Sequence, residues 1–464
     1  MFSDIKDIKV FILEIINNYL NKVTDSSKLA IFRICFGLMM LYSMIRFWSK
    51  GWINSIYIEP DFNFKYYGFE WVQGLGNYTY ILFLICMLCS IFITLGFWYK
   101  TSMSVFFITF TYIELIEKTT YLNHYYFVSL ISFILIFLPA NSCFSLDNFS
   151  RGTSYKKVPS WTVDSIKLLM IIVYFYAGLA KINSDWLLNA LPLKIWLPSK
   201  YDIPYIGETI LQYNWVHYLM SWGGMFYDLL IPFILLYKRT RIIGFVFVIF
   251  FHVFTAILFP IGMFPYIMIV SALIFFDGKT HNKIIKFLKR ILFITQNKII
   301  EKPIEPNQKH RKLSITILSI FFFFQIIIPF RYIFYPSELF WAEEGYRFSW
   351  RVMLVEKIGY TNFKVVNKKS GSSFYIRNGH FLTDLQIKQM SFQPDMILEY
   401  AHYLGDHFRS QGHQNIGVYA ESYVSLNGRP SQEFIDPKVD LLEQEESFKT
   451  KKWIKPFKYE IKGF

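Results

Sequence analysis

Polar side chains interrupt several apolar segments of the sequence, and these are the residues that could do chemistry. Tyr174, Gly178 and Lys181 are spaced so that all three fall on one face of a helix. If that face borders a water-poor cavity, burial favours the neutral amine of Lys181, which is then a base, and Gly178 leaves space beside it. The alternative is that Lys181 ends its segment and extends its ammonium to water at a membrane surface.

Two further places in the sequence carry groups that could bind a ligand. Asn123 and His124 open an apolar segment, where an amide and an imidazole could bind a ligand oxygen or simply cap a helix. Met263 and Phe264 lie in a Pro-Ile-Gly-Met-Phe-Pro break of the chain, where they could contact a flat apolar ligand or only pack. His252 lies within an apolar segment, as a catalytic residue or as a satisfied interior histidine.

Other polar positions in apolar segments have structural explanations. Arg33 and Glu114 could form an ion pair between two helices, while Asp228 is ambiguous between a structural and a functional role. Cys86 and Cys89 form a C-x-x-C pattern in an apolar segment without polar ligands beside it. We therefore expect buried free thiols there, and no metal or redox site.

The composition indicates that the elements that position these residues are membrane helices. Of 464 residues, 53% are hydrophobic and 20% aromatic, and only 18% are charged, against a usual charged share of about 25%. The mean hydropathy is +0.30, which excludes a disordered, collagen-like or ordinary soluble protein. The net charge of +14 does not indicate nucleic acid, because the basic residues lie between apolar segments, where they orient helices in a bilayer.

The apolar segments predict about nine transmembrane helices. A spanning helix needs about 20 apolar residues, so the shorter segments are expected to be tilted, interrupted or shielded by neighbours. Before the first span, the apolar stretch in residues 1–28 is broken by polar residues and predicts a helix at the membrane surface. The predicted spans are 29–48, 78–98, 102–117, 125–140, 162–182, 216–237, 241–259, 261–276 and 312–330.

Lysine and arginine residues between the spans predict the orientation. With the N-terminus in the cytoplasm, the inner segments hold 21 Lys and Arg residues and the outer segments five. Cytoplasmic segments of membrane proteins carry this excess of positive charge. With nine spans, the N-terminus is then cytoplasmic and the part of the chain after residue 330 is extracytoplasmic.

Residues 331–464 predict a small α+β domain. The Asn-Gly pair at 427–428 is a strong hairpin turn signal between two apolar, β-prone stretches. The sequence thus predicts an all-α polytopic membrane bundle at 29–330, an interfacial segment at 1–28 and a C-terminal extracytoplasmic α+β domain at 331–464. Within that domain we expect strands at Phe363–Asn367, Ser373–Asn378, Ile416–Leu426 and Ser431–Ile435, and a helix at Asp395–Arg409.

Five strings of residues follow one another in an order typical of a known family. They are Lys118–Tyr125, Tyr176–Trp186, Phe251–His252 with Phe259–Phe264, Gly345–Trp350 and Phe434–Asp440. One such string is a weak signal, whereas five in order are specific. Across residues 30–440 the sequence resembles the vitamin K-dependent γ-glutamyl carboxylase family.

This resemblance implies a chemistry for the membrane part. Lys181 then deprotonates vitamin K hydroquinone or menaquinol, with His124 as a second catalytic residue and Asn123 assisting at the quinol. The quinol anion reacts with O₂ and becomes a strong alkoxide base on its way to the epoxide. That base takes a γ-proton from a peptide glutamate, and the carbanion adds CO₂. O₂ and CO₂ are therefore expected as co-substrates, the quinol enters from the lipid bilayer, and no metal is expected.

The resemblance and the residue types together assign two sets of contacts. Arg347 and Arg351 could steady the glutamate carboxylate of a polypeptide substrate or merely meet lipid headgroups. The expected quinol contacts are Tyr174, His252, Met263 and Phe264, and the expected substrate contacts are Tyr346, Trp350 and Arg351.

One departure from the family concerns the substrate side. Animal carboxylases have a Met-Val-His-Ser stretch near the glutamate, where this chain has Leu354–Lys357. Quinol chemistry is therefore better supported than carboxylation, and two alternatives stay open: an epoxidase without carboxylation, or a membrane protein that binds a lipid or quinone without turnover. The Lys-, Ile- and Phe-rich composition suggests a bacterial homologue in an inner membrane.

Overall fold

The computed structural model describes residues 2–293, 300–302 and 308–464, and most of this chain is helical. The first helices are α1 (Phe2–Asn21), α2 (Ser27–Ser49), α3 (Thr79–Leu95), α4 (Tyr99–Ile116), α5 (Asn123–Phe137), α6 (Leu146–Arg151), α7 (Ser160–Leu179), α8 (Ser184–Asn189) and α9 (Leu193–Trp196). The next are α10 (Asn214–Leu236), α11 (Arg241–Leu258), α12 (Phe264–Ala272), α13 (Gly278–Ile291), α14 (Gln308–Ile327), α15 (Leu339–Ala342), α16 (Asp384–Met390) and α17 (Pro394–Ser410).

Helices occupy all nine positions at which the sequence predicts spans. Within the described residues, six of them are long and apolar enough to cross a membrane: α2, α3, α7, α10, α11 and α14 with the turn that extends it to Phe334. Helices α5 and α12 are apolar but shorter, and α4 has 18 residues. The protein is therefore a mostly helical membrane protein, and the nine-span topology stays a prediction.

The first helices of the bundle are joined by a buried arginine. Helix α3 ends at Gly96, whose φ of +65° is the left-handed conformation that glycine adopts without steric penalty. The Arg33 guanidinium of α2 donates to the carbonyl oxygens of Ile93 at 2.8 Å and Ala140 at 3.1 Å. Arg33 thus satisfies helix-end carbonyls, and the ion pair suggested for Arg33 and Glu114 is absent from the described structure.

Two pairs of short strands and a basic helix accompany the long apolar helices. Strands β1 (Val23–Asp25) and β3 (Lys157–Pro159) pair antiparallel, and β2 (Thr153–Tyr155) pairs with β4 (Ile300–Lys302) in parallel. Helix α13 carries five of the basic residues counted for the cytoplasmic side. The rest of that basic segment lies partly outside the described residues, at 294–299 and 303–307.

The C-terminal part contains a four-stranded antiparallel sheet covered by helix α17. Its strands are β5 (Lys357–Asn367), β6 (Ser373–Tyr375), β7 (Ile416–Leu426) and β8 (Gln432–Glu433), in the order β6-β5-β7-β8. Strand β5 begins at Lys357, six residues before the predicted start, because all eleven residues of β7 find partners along it. The Asn427-Gly428 turn has positive φ at both residues, as the two central residues of a type I′ turn require.

Helix α17 packs on this sheet through one apolar face. The rings of Phe363 on β5 and Tyr400 on α17 meet edge to face, with centroids 5.0 Å apart. Both side chains are fully buried, and so are Ile397 and Leu404 on the same face of the helix. The predicted helix 395–409 is thus present, one residue longer at each end.

Candidate active site

A cavity opens between α7, α8, α10, α11 and α12, and its wall is mostly aromatic and aliphatic. The segment just before β5 contributes Val352 and Met353, so the C-terminal part also reaches this cavity. The polar side chains of the wall are few, and they converge from different helices. They are Tyr174, Lys181, Asp228, His252 and Thr255, and the apolar ones include Trp186, Trp196, Phe251, Phe259, Ile261, Phe264 and Met268.

Lys181 and Asp228 form an ion pair in this wall. Lys181 Nζ lies 2.7 Å from Asp228 Oδ2 and donates to the Ala177 carbonyl oxygen at 3.1 Å. Each of the two residues is only 6% exposed. Two of the three positions around Nζ are used by these contacts, so the third is left for a ligand, as an N–H of the ammonium or as the lone pair of the neutral amine. The snorkelling alternative does not describe this geometry, since the Lys181 side chain points to α10 and not to bulk water.

The local sequence explains how α7 and α10 come close enough for this pair. A Cβ added at Gly178 would lie 2.7 Å from the Leu229 side chain, so only glycine permits this approach of the two helices. After α7, the Asn183 side chain accepts from the Trp186 backbone N–H at 2.9 Å and begins α8. The Trp186 indole then donates to the Ser221 carbonyl oxygen of α10 at 2.7 Å. Lys181 is therefore fixed in the turn between two helices that both contact α10.

Tyr174 and His252 form the second polar contact of the wall. The Tyr174 hydroxyl lies 3.0 Å from His252 Nε2, and both residues are buried. His252 Nδ1 has no hydrogen-bond partner among the described residues. A buried polar atom without a partner is rare in folded proteins, and at a cavity wall it is a candidate for contact with a ligand.

Of the residues predicted at the quinol, four line this cavity and three lie outside its wall. Lys181, Tyr174, His252 and Phe264 line it. The Phe264 ring stands between two imidazoles, with its centroid 5.7 Å from that of His252 and 6.1 Å from that of His124. His124 therefore lies behind Phe264, next to the cavity wall.

Asn123 and Met263 also lie beside the cavity. The Asn123 amide donates to the Arg351 carbonyl oxygen at 3.4 Å, next to the Val352–Met353 segment of the wall. Met263 is buried and borders a neighbouring pocket with Arg46. The structure thus brings the three segments of the sequence prediction together, but Phe264 separates them into two layers.

The residues predicted at the glutamate substrate support the Val352–Met353 segment from behind. The Tyr346 hydroxyl donates to the Arg351 carbonyl oxygen at 3.4 Å. Trp350 is 1% exposed and packs on the Tyr126 ring at 5.0 Å between centroids. The Arg351 guanidinium lies 4.8 Å from the centroid of the Tyr332 ring.

Neither arginine near this segment is free at the surface. Arg351 is 2% exposed and donates to the Phe464 carbonyl oxygen at 3.2 Å. Arg347 forms an ion pair with Asp395, with Nη1 2.7 Å from Oδ2. Both guanidinium groups contact other groups of the protein. In this structure, therefore, neither faces lipid headgroups and neither is open to a substrate carboxylate.

The C-terminal part is bound to the turn that follows Lys181. The Arg429 guanidinium holds the Asp185 carboxylate with two bonds, at 2.6 and 2.7 Å, and the Asn427 amide donates to the same carboxylate at 2.8 Å. Backbone bonds add to this contact, from Ser184 N–H to the Lys462 carbonyl oxygen at 2.7 Å. The hairpin turn at 427–428 is therefore a docking element as well as a turn.

A cluster of charges joins α17 to the segment before Asn123. Lys118 Nζ lies 2.8 Å from Asp395 and 3.0 Å from Glu399. Burial opposes the ionisation of Asp395, but Arg347 and Lys118 together outweigh it and hold the pKa of Asp395 well below its usual range. Burial raises the pKa of Glu399 to about 7, despite Lys118 beside it.

Sequence reasoning did not assign the partners in these contacts. The sequence leaves the role of Asp228 ambiguous and predicts no contact for Asp185 or Arg429, although it contains one signal. An acidic residue inside a predicted span must find a cation or a donor, and Lys181 was a candidate partner for Asp228 by that rule.

Comparison with known families agrees with the five strings. Residues 21–279 match the model of the HTTM domain, and residues 310–460 match that of the vitamin K-dependent gamma-carboxylase, lumenal domain. The chain belongs to the vitamin K-dependent γ-carboxylase family. The two matches cover α2 to α12 and the sheet with α17. No solved structure matches the chain significantly.

The residues of the cavity fit the reduced vitamin K that the carboxylase family implies. A flat naphthoquinol ring suits a wall of aromatic side chains such as Phe251, Phe259 and Phe264. Its two hydroxyl groups need polar partners, and the free N–H of Lys181 and His252 Nδ1 are available in the wall. For the described residues, no group of three or more His, Cys, Asp or Glu side chains could hold a metal ion.

Proposed function

We propose that this membrane protein is a vitamin K hydroquinone-dependent γ-glutamyl carboxylase-like enzyme that couples quinol epoxidation by O₂ to CO₂ addition at a peptide glutamate. The observation that supports it most is the buried Lys181 Nζ, paired with Asp228 in the wall of an apolar cavity between the helices. The proposal includes nine spans with a cytoplasmic N-terminus and residues 331–464 on the extracytoplasmic side.

Lys181 is proposed as the base of the first step. An amine in a water-poor cavity accepts a proton without competition from solvent. The resulting ammonium would be costly to bury alone, and the Asp228 carboxylate 2.7 Å away compensates its charge. When bound, the hydroquinone supplies the reducing equivalents and, after reaction with O₂, the strong base for the glutamate γ-proton.

The other cavity residues are proposed to hold and orient the quinol ring. Tyr174 fixes the His252 ring through the hydroxyl contact at 3.0 Å, which leaves His252 Nδ1 for a ligand oxygen. Phe264 offers its ring face to the naphthoquinol. His124, Asn123 and Met263 act from the layer behind Phe264, where His124 keeps that ring in place.

Tyr346, Trp350 and Arg351 are proposed to position the segment that faces the glutamate. Their contacts support the backbone just before Val352 and Met353, which line the cavity. A polypeptide substrate approaching from the C-terminal part would then meet the cavity at this segment. The role of Arg351 in this proposal is structural support, because its guanidinium is enclosed by Tyr332 and the Phe464 carbonyl.

One observation favours an epoxidase without carboxylation as the second candidate. The Leu354–Lys357 stretch differs in sequence from the corresponding stretch of animal carboxylases, and its residues contact other parts of this protein. Lys357 Nζ forms an ion pair with Glu343 at 2.9 Å and donates to the Trp341 carbonyl oxygen at 2.6 Å, and the Glu356 backbone N–H donates to Asn427 at 2.9 Å. Lys357 begins strand β5, and the Glu356 carboxylate accepts from the Trp196 indole, so neither side chain is free to contact a glutamate.

The decisive experiment measures both half-reactions on the purified protein in lipid nanodiscs. It supplies vitamin K hydroquinone, O₂, ¹⁴C-bicarbonate and a glutamate-rich peptide, with an anaerobic sample as the control. Formation of the epoxide together with ¹⁴C in the peptide is the expected result. Epoxide without ¹⁴C in any of a panel of peptides would replace the proposal by the epoxidase, and quinol binding without turnover would replace it by a binding protein.

A further inference from the structure

A second pocket opens on the surface of the helical part, between the C-terminal end of α2 and the turn that joins α11 to α12. Its volume is about 260 Å³, many times what one water molecule needs. It is separate from the cavity that contains Lys181, although both touch Phe259 and Ile261. Among the described residues, no acidic side chain lines this pocket. Its wall is formed by Tyr42, Arg46, Ala256, Tyr266 and the segment Phe259–Met263.

Arg46 brings a positive charge to this second pocket. Its guanidinium lies over the Trp52 ring, 5.0 Å from the ring centroid. Its Nε is buried without a hydrogen-bond partner among the described residues. A guanidinium carries five N–H donors in a planar fork that matches carboxylate and phosphate groups. Because a buried donor without a partner is costly, the pocket has the chemistry of an anion site.

His124 adds a second nitrogen atom at the same place. It is 5% exposed, and its Nε2 also has no partner among the residues that the structure describes. A Cβ added at Gly262 would lie 3.6 Å from Arg46 Nη2 and 3.9 Å from His124 Nε2. One small group in front of this glycine is therefore within reach of both nitrogen atoms, and a neutral imidazole can donate from Nε2 to an anion. Helix α12 begins beside this point with Met263 as its N-cap, and a helix N-terminus also favours negative charge.

The surroundings of the pocket favour a phospholipid headgroup as the source of the anion. Tyr42 and Tyr266 at its rim are 59% and 55% exposed, and tyrosine is enriched where a membrane meets water. Leu38 and Ile45 on α2 and Ile257 on α11 continue this exposed surface with apolar side chains that suit acyl chains. A phosphate group at the pocket would thus lie at the depth of the headgroups, with its acyl chains along α2 and α11.

We propose that Arg46, together with His124 Nε2 and the N-terminus of α12, binds a phosphate group, which a phospholipid on the surface of α2 and α11 supplies. This site is distinct from the proposed quinol site and places a lipid ligand next to His124. Free phosphate has the same chemistry, so binding measurements must separate the two sources.

Native mass spectrometry of the full-length protein in detergent measures this binding in the absence of hydroquinone. The probes are phosphatidylglycerol and a diacylglycerol with the same acyl chains, which lacks the phosphate. The wild type should bind phosphatidylglycerol at least about tenfold more tightly, the usual effect of hydrogen bonds to a charged group. Calorimetry with inorganic phosphate separates the sources: much weaker binding than that of phosphatidylglycerol supports the lipid, and equally tight binding that needs Arg46 supports a dissolved phosphate.

Variants test whether the pocket is a built site or only a place of positive charge. Arg46→Gln should weaken the binding of phosphatidylglycerol at least about tenfold, and His124→Phe, which keeps a flat ring without Nε2, at least about threefold. Arg239→Gln is the matched control, because Arg239 is an exposed arginine between α10 and α11; it should leave the affinity unchanged. If Arg46→Gln fails to insert, Arg46→Lys keeps the charge without the planar fork and should weaken binding at least about threefold.

Two results would overturn the inference. One is equal affinity for phosphatidylglycerol and diacylglycerol together with no binding of inorganic phosphate. The other is an effect of Arg46→Gln no larger than that of Arg239→Gln, which would indicate a general attraction of basic side chains to headgroups. Because no quinol is present, a protein without epoxidase activity would refute the proposed function and leave both binding results unchanged.

Discussion

Lys181 and Asp228 are hard to explain by stability alone. A buried ion pair gains little net free energy, because the desolvation of both charges offsets most of their attraction, and apolar residues of similar size often do as well. This pair is 6% exposed on each side and stands at a cavity wall, not in the packed core. Its place at the wall supports the proton transfer proposed for Lys181.

Lys181→Met should lose most of the epoxidation activity. Methionine keeps most of the volume but cannot accept a proton, so we expect epoxidation to fall by about 10²–10⁴-fold, the usual contribution of a general base. A small exogenous amine that enters the cavity should restore part of the rate. The measurement is epoxide formation by chromatography.

The matched control is Lys167→Met. Lys167 lies on the same helix and pairs with Asp164 at 3.0 Å, away from the cavity. Its variant should keep the wild-type rate. Near-normal epoxidation in Lys181→Met would contradict the assigned role and return Lys181 to a structural one.

Residue spacing located part of this site. The i, i+4, i+7 pattern singled out Tyr174, Gly178 and Lys181, because residues on one helix have a fixed angular relation. The spacing does not predict Asp228 as the partner, since nothing along α7 tells which side chain of another helix faces it. His124 lies behind Phe264 for the same reason: only the packing of α5 against α12 decides its distance from the cavity.

At the scale of elements, the Asn427-Gly428 hairpin turn connects the sheet to the helix that follows Lys181. Its sequence predicts a tight turn, and the structure adds that Arg429 and Asn427 use the turn to reach Asp185. The turn is therefore under two constraints, its own backbone geometry and the docking on α8.

Arg429→Ala should weaken this docking strongly. The Asp185 side chain is 2% exposed, and removal of its cation leaves a buried carboxylate with one amide donor. Breaking a buried pair from one side costs about 3–5 kcal/mol, and the partial exposure of Arg429 favours the lower end of that range. The measurement is the free energy of unfolding in detergent, by titration with SDS.

Arg409→Ala provides the comparison for this variant. Arg409 pairs with Asp406 at 3.2 Å on the exposed face of α17, where such pairs contribute about 0–1 kcal/mol. An equal effect of the two variants would show that the contact between Arg429 and Asp185 does not hold the C-terminal part in place.

The charge cluster at α17 makes the stability of the C-terminal part depend on pH. Because burial raises the pKa of Glu399 to about 7 from its usual 4.5, its protonated form stabilises the fold. That contribution is complete below about pH 4.5 and is lost as the pH rises towards 7 and beyond. Glu399→Gln mimics the protonated form and should remove this loss.

Hydrogen exchange of the α17 amides between pH 5 and 8, corrected for the intrinsic rates, measures this effect. In the wild type the protection should fall as the pH rises, and in Glu399→Gln it should stay level. Glu445→Gln, at an exposed position of the same region, should follow the wild type. A level profile in the wild type would contradict the assigned role of Glu399.

On the scale of the whole molecule, two parts of different composition share one site. The helical part contributes Lys181, Asp228 and His252, and the C-terminal part closes the wall with Val352 and Met353. A carboxylase needs both a dry cavity and access for a polypeptide, and these come from the membrane part and the extramembrane part respectively in the proposal.

The predicted topology places helices α13 and α17 on opposite sides of the membrane. Reporter fusions near residue 290, in α13, should be cytoplasmic, and fusions near residue 400, in α17, should be extracytoplasmic. The physical reason is the excess of 21 over five Lys and Arg residues on the predicted inner side. A cytoplasmic reporter at residue 400 would contradict an odd number of spans and the proposed side of the substrate.

The class of this protein and its family follow from the amino-acid sequence without the structure. Long apolar segments, basic connections and the five strings are local properties, which do not depend on how the helices pack, and they identified a membrane protein of the carboxylase family and the positions of its helices. Which polar groups meet depends on the packing of the helices and cannot be derived from the sequence patterns. Lys181 with Asp228, Asp185 with Arg429, and Phe264 between His124 and His252 are contacts between distant segments. Such contacts depend on how helices rotate and approach, and close approach at Gly178 is what brings α7 and α10 together.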